Sequence, residues 1–111
     1  MPPIASDAAL ALVTCPAADA EALARALVEA RVAACVNLLP QLRSVYRWQD
    51  AIETAHETLL LIKYPADAFD ALRDAVLARH PYELPEVIAV PLRDAHAPYL
   101  DWILASCRPP A

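Results

Sequence analysis

The side chains best suited to chemistry gather in one stretch, Arg79-His80-Pro81-Tyr82-Glu83-Leu84-Pro85-Glu86, which runs straight into the apolar segment 87–91. An imidazole suits copper or zinc, and the carboxylate of Glu83 or Glu86 could coordinate beside it or orient it. His80 also has a plain structural reading, because a histidine that ends a helix complements the helix dipole. Cys15 reads from its surroundings as an inert thiol ahead of Pro16. His80 and Glu86 are candidate metal ligands. Tyr46 and Trp48, two apart, form an aromatic ridge that fits ligand stacking or subunit packing. With Lys63, Tyr82, Glu83 and Trp102 they make a candidate ligand cleft or interface. Glu53 and Glu57 share a strand face and could serve acid–base work, although strand-face carboxylates are usually solvated or paired with arginine.

Composition excludes several classes. The chain has 111 residues, enough for one domain, expected over 8–107 with flexible tails at 1–7 and 108–111. Its net charge is −5 and eight of its nine basic residues are scattered arginines, so nothing is built to neutralise a phosphate backbone. No apolar run approaches membrane-spanning length, and the start Met1-Pro2-Pro3-Ile4 lacks the basic residues of a secretory signal. A soluble cytoplasmic protein is expected, without nucleic-acid or membrane partners. Three cysteines without a C-x-x-C pair make neither a disulfide framework nor a structural zinc site; Cys35 and Cys107 read as small buried hydrophobes. Glycine is absent, which rules out a P-loop, a dinucleotide fingerprint and a G-x-S-x-G elbow. Positive φ angles then fall to Asn or Asp, with Asn37, Asp50 and Asp94 as candidates. No catalytic triad or open zinc set appears, so no enzyme is expected.

Periodicity sets out the elements that position these groups. Residues 8–14 read as a buried strand, and 18–31 as a helix opened by Pro16 with Leu23, Leu27 and Ala30 inward. Residues 33–39 and 42–48 are extended about a bend at Pro40. Gln49-Asp50 is the reversal, and 51–64 alternates strictly, placing Glu57 with Leu59, Leu61 and Lys63. A second helix follows Pro65, a strand covers 87–92, and a last helix over 98–106 buries Tyr99, Trp102 and Ile103. The order β-α-β-β-α-β plus a terminal helix is the ferredoxin-like α+β pattern with a long hairpin between its second and third strands. Two helices cover only one face of such a sheet. With 59% hydrophobic residues, the other face calls for self-association.

Leu12-Val13-Thr14-Cys15-Pro16, residues 33–40, Ser44-Val45-Tyr46-Arg47-Trp48, residues 80–89 and Tyr99-Leu100-Asp101-Trp102-Ile103 together resemble the CutA family of divalent-cation tolerance proteins, over about 10–106. The resemblance implies a homotrimer with sheets facing inward, a role in tolerance to divalent metals, and Cu2+ binding. It also implies likeness to PII signal proteins, which bind small molecules in clefts between subunits. This chain departs from the family pattern where Gln41 and Asp50 replace glycines. Val13 and Arg79 stand where copper-binding members carry a cysteine and a first histidine; Cys15, which points the same way as Val13 on a regular strand, is the thiol that the resemblance adds to His80 and Glu86 as the candidate metal set.

Overall fold

A computed structural model describes residues 2–108. In chain order it forms β1 (Ala8–Cys15), α1 (Ala17–Glu29), β2 (Cys35–Trp48), β3 (Ala51–Pro65), α2 (Phe69–Leu77), β4 (Ile88–Pro91) and α3 (Ala97–Ser106), with 3-10 turns at Ala5–Asp7 and Ala66–Ala68. The expected tail at 108–111 falls, apart from Arg108, outside the described residues. The expected element order is the one observed. The sheet order is β2-β3-β1-β4 with every neighbouring pair antiparallel.

Alternation decides the layering. On β1, Ala9, Ala11, Val13 and Cys15 point into the core, with Leu60, Ile62 and Tyr64 of β3 beside them. Leu23 and Leu27 of α1 and Leu72 and Val76 of α2 close this core from one side. Each large side chain buried there contributes about 1.5–3 kcal/mol. The residues of opposite parity, Leu10 and Leu12, Leu59 and Leu61, Leu39, Ile88 and Val90, lie on the sheet face that α1 and α2 leave open, where α3 covers only the end at Ala8. Leu39, Ile88 and Val90 are exposed there.

Both ends of α1 depend on local chemistry. Pro16 caps its start, where a missing N–H costs nothing. Arg31 ends it at φ 59, and the amides of Val32 and Ala33 fold back to the Leu27 carbonyl, a turn that glycine normally makes. Positive φ also occurs at Gln41, Gln49 and Asp50. Of the expected positions, only Asp50 adopts it. Asn37 lies inside β2 instead, and the glutamines and Arg31 take the load because turn position, not side-chain type, dictates the angle.

The two extended segments expected around Pro40 are one strand. Leu39 faces Leu59 but Leu42 faces Glu57, so one extra residue bulges out beside Pro40 and Gln41. Because β2 is an edge strand, proline is tolerated there. Beyond the bulge, β2 and β3 continue to a two-residue turn, Gln49-Asp50, whose paired positive φ angles match the twist of a tight hairpin. This hairpin stretches the molecule to 50 × 27 × 23 Å and carries exposed Val45 (70%) and Ile52 (63%).

The last helix corrects one expectation. It buries Leu100 and Ile103 against Ala8 and Ala34, whereas Tyr99 and Trp102 are exposed and stack on each other at 5.4 Å. A stripe at i and i+3 suffices to dock so short a helix, and the aromatics fall on the outer side. Cys35 and Cys107 are only half-buried; Cys15 is the fully buried cysteine.

Candidate functional site

The corner after α2 is built by its prolines. The His80 amide closes the helix end on the Val76 carbonyl, and Pro81 then forces the chain to leave. The His80 ring, nearly buried, turns back to β1: Nε2 lies 2.8 Å from the Thr14 carbonyl oxygen. Its Nδ1 accepts the Tyr82 backbone N–H at 3.1 Å. The tautomer with its proton on Nε2 satisfies both contacts. His80 therefore acts as a strut that fixes Tyr82, whose ring centroid stands 4.7 Å from its own.

Tyr82 in turn reaches the hairpin. Its hydroxyl donates to Glu57 Oε2 at 2.9 Å, joining residues 25 apart in sequence. Burial first, and then this bond, push the Tyr82 phenol up to about 12. Glu57 is only 5% exposed. Around this pair a cleft of about 580 Å3 opens on the uncovered side of the sheet, lined by Thr14, Ser44, Tyr46, Trp48, Glu57, Tyr82, Glu83 and Glu86 among others. The volume falls in the range of small-molecule sites. Three carboxylates and three aromatic rings face it, and among the described residues no lysine, arginine or histidine lines it.

Of the candidate residues, Tyr46, Trp48, Tyr82, Glu83 and Glu86 meet in this one cleft. Lys63 does not. It stands opposite Cys35 and Leu10 at the far end of the sheet, where its amine bonds the Asn37 side-chain oxygen and the Leu61 carbonyl. Trp102 lies on α3, beside a different hollow formed with Val28, Arg31 and Ala34. Glu57 is a cleft residue outside the expected set, although its parity with Leu59 and Leu61 puts a carboxylate on an otherwise apolar face.

The candidate metal ligands are not brought together around a free centre. Both His80 nitrogens already have partners, so a metal at His80 would have to displace one. Cys15 has no exposed surface, and burial, with Asp19 and Glu57 adding, pushes its thiol up to about 11, away from the thiolate that ligates metals. Glu86 is exposed at the cleft mouth with Glu83. Among the described residues no group of three or more His, Cys, Asp or Glu side chains converges. No helix among them is long and apolar enough to cross a membrane.

Comparison with known proteins gives this geometry a context. The family model for CutA1 divalent ion tolerance proteins matches residues 9–106. The divalent-cation tolerance protein CutA of Thermus thermophilus is 46% identical over 93 residues, covering 83% of this chain and 90% of the relative. Human Protein CutA is 49% identical over 94 residues, covering 84% of this chain but 52% of the relative, so the chain spans about half of that protein. Among solved structures, CutA from Xylella fastidiosa superposes with a TM-score of 0.89 at 45% identity, covering 93% of this chain and all of the other. A PII-like protein CutA from Nostoc superposes at 0.85 with 30% identity, covering 90% and 97%.

Proposed function

This chain belongs to the CutA1 family of divalent ion tolerance proteins, and we propose that it serves divalent-cation tolerance as a cytoplasmic homotrimer that binds metal ions, copper included, transiently at the corner around His80 and Glu86. The observation that carries this reading is the carboxylate-lined cleft at the family's signature corner. Exposed Glu83 and Glu86 are accessible oxygen donors, and two carboxylates give exchangeable rather than tight binding. His80 holds the corner in shape and becomes a ligand only by releasing the Tyr82 amide.

The uncovered apolar sheet face supports the trimer. Leu39, Ile88 and Val90, with the exposed hairpin residues Val45 and Ile52, form the kind of surface that assembly covers. The three cysteines, all free, suit a reducing compartment.

A second reading has its own support. The aromatic walls and volume of the cleft fit a small organic ligand, as in a PII-like binding module, and one structural relative carries that description.

Titration calorimetry with Cu2+, Zn2+ and Mg2+ tests the first reading. Binding is expected in the micromolar range or weaker, lowered by Glu86→Gln and by Glu83→Gln. Sedimentation tests the assembly. A protein that is monomeric at micromolar concentration, or Cu2+ binding that is indifferent to His80→Ala and Glu86→Gln, overturns it.

A further inference from the structure

Among the described residues the Glu57 carboxylate has no cationic partner. It is 5% exposed, and among the described residues no lysine, arginine or histidine forms an ion pair with it. A carboxylate in that position costs several kcal/mol unless something compensates it. Tyr82 supplies one hydrogen bond, to Oε2. Among the described residues no fully buried side-chain oxygen lacks a partner, so the other Glu57 oxygen opens into the cleft it lines. The protein thus holds a nearly buried acceptor, fixed by a tyrosine, aimed into a cavity.

The surroundings define what that acceptor is for. Every charged residue lining the cleft is a glutamate, which focuses negative potential inward. Tyr46, Trp48 and Tyr82 offer π faces, to which cations are attracted by about 0.5–2 kcal/mol each. Thr14 and Ser44 add hydroxyls. A bare metal ion gains little from aromatic walls, and no metal-type donor cluster is present among the described residues. An alkylammonium or guanidinium group uses all of these features together.

We infer that this cleft binds a small organic cation, with Glu57 as its central anionic partner and Tyr46, Trp48 and Tyr82 as its aromatic walls. The inference rests on the second reading above, in which the cleft stays open to small molecules in the assembled protein. His80 is a positioning residue, and Tyr82 besides walling the cleft holds Glu57 in place: the 2.9 Å bond fixes the carboxylate and the strut to Thr14 fixes the tyrosine.

The chain has two tryptophans. In full-length protein carrying Trp102→Phe, fluorescence therefore reports on Trp48 alone. Tetramethylammonium, putrescine and agmatine are titrated in turn, against glycerol, acetate, MgCl2 and CuCl2. Saturable change with at least one organic cation, and none with glycerol or acetate, is expected. Glu57→Gln should weaken that binding about tenfold or more, the effect of losing a charge-assisted contact. Tyr46→Leu, on an exposed wall, should weaken it several-fold and carries the test should Glu57→Gln misfold. No saturation at millimolar organic cation, or equal affinity in both variants, overturns the inference. So does a Glu57→Gln protein whose oligomer falls apart while no probe binds, because a basic side chain from a second copy then fills the cleft. Copper binding without any organic-cation response retires this inference and leaves the tolerance reading standing; the reverse pattern supports it alone.

Discussion

Removing the Tyr82 hydroxyl isolates the contact on which the cleft depends. In Tyr82→Phe, Glu57 Oε2 loses its donor at 2.9 Å while the ring stays against His80. A hydrogen bond to a charged group is worth about 1.5–3 kcal/mol. Glu57 is 5% exposed and cannot fully resolvate, but Tyr82 is 38% exposed, so water offsets part of the loss and about 1–2 kcal/mol is expected. For a domain of this size that lowers Tm by about 4–8 °C. Calorimetry must compare the proteins at one concentration, since association shifts apparent stability. A double-mutant cycle with Glu57→Gln should return a coupling near 1 kcal/mol, and additivity within about 0.3 kcal/mol would refute the contact. The pH dependence has a defined sign. The Tyr82 phenol is raised in the folded protein, to about 12, so the folded state keeps the proton longer. Its contribution is complete below about pH 10 and disappears as pH climbs toward 12. Urea midpoints across that alkaline window should fall less steeply in Tyr82→Phe; parallel profiles would contradict the assignment.

Cys15 should be silent to a disulfide reagent in native protein near neutral pH, because its thiol is buried and pushed up to about 11, whereas half-buried Cys35 and Cys107 should react. Thiol counting before and after adding urea checks this, and prompt reaction of all three would refute it. The raised Cys15 value also adds stability below its ordinary range that is lost as pH rises toward 11. Asp50→Gly should stabilise the hairpin turn by about 0.5–1 kcal/mol, since Asp50 sits at φ 66 where a side chain is unfavourable. An unchanged or lower urea midpoint would show that the aspartate makes a compensating contact.

Strict alternation over 51–64 makes the two faces of β3 readable from the residues alone, including the carboxylate in line with Leu59 and Leu61. What alternation does not carry is burial. Glu57 is covered because Tyr82 arrives from 25 residues away, and no local pattern encodes that meeting. Lys63 falls outside the cleft for a geometric reason: it shares a strand and a face with Glu57, yet lies six residues further along, about 20 Å away at strand rise. The exposure of Trp102 is hidden in the sequence because α3 is apolar nearly all round, so its periodicity cannot choose between Trp102 and Leu100. The corner after α2 is legible from its prolines, which act locally. The engagement of both His80 nitrogens is not, because their partners lie on β1 and on the turn itself.

Among the described residues, Arg31, Gln41, Gln49 and Asp50 are left-handed, and each strains the native backbone by about 1–2 kcal/mol where glycine would be at ease. The compensation lies in the denatured ensemble. A chain with no glycine and 11 prolines samples fewer conformations when unfolded, so it loses less entropy on folding. Each such turn therefore trades native strain for a stiffer random chain, a term that acts before any contact forms. Since Tm is the ratio of unfolding enthalpy to unfolding entropy, a smaller entropy raises it without a larger core. That contribution to Tm thus resides in the shape of the chain when it has none.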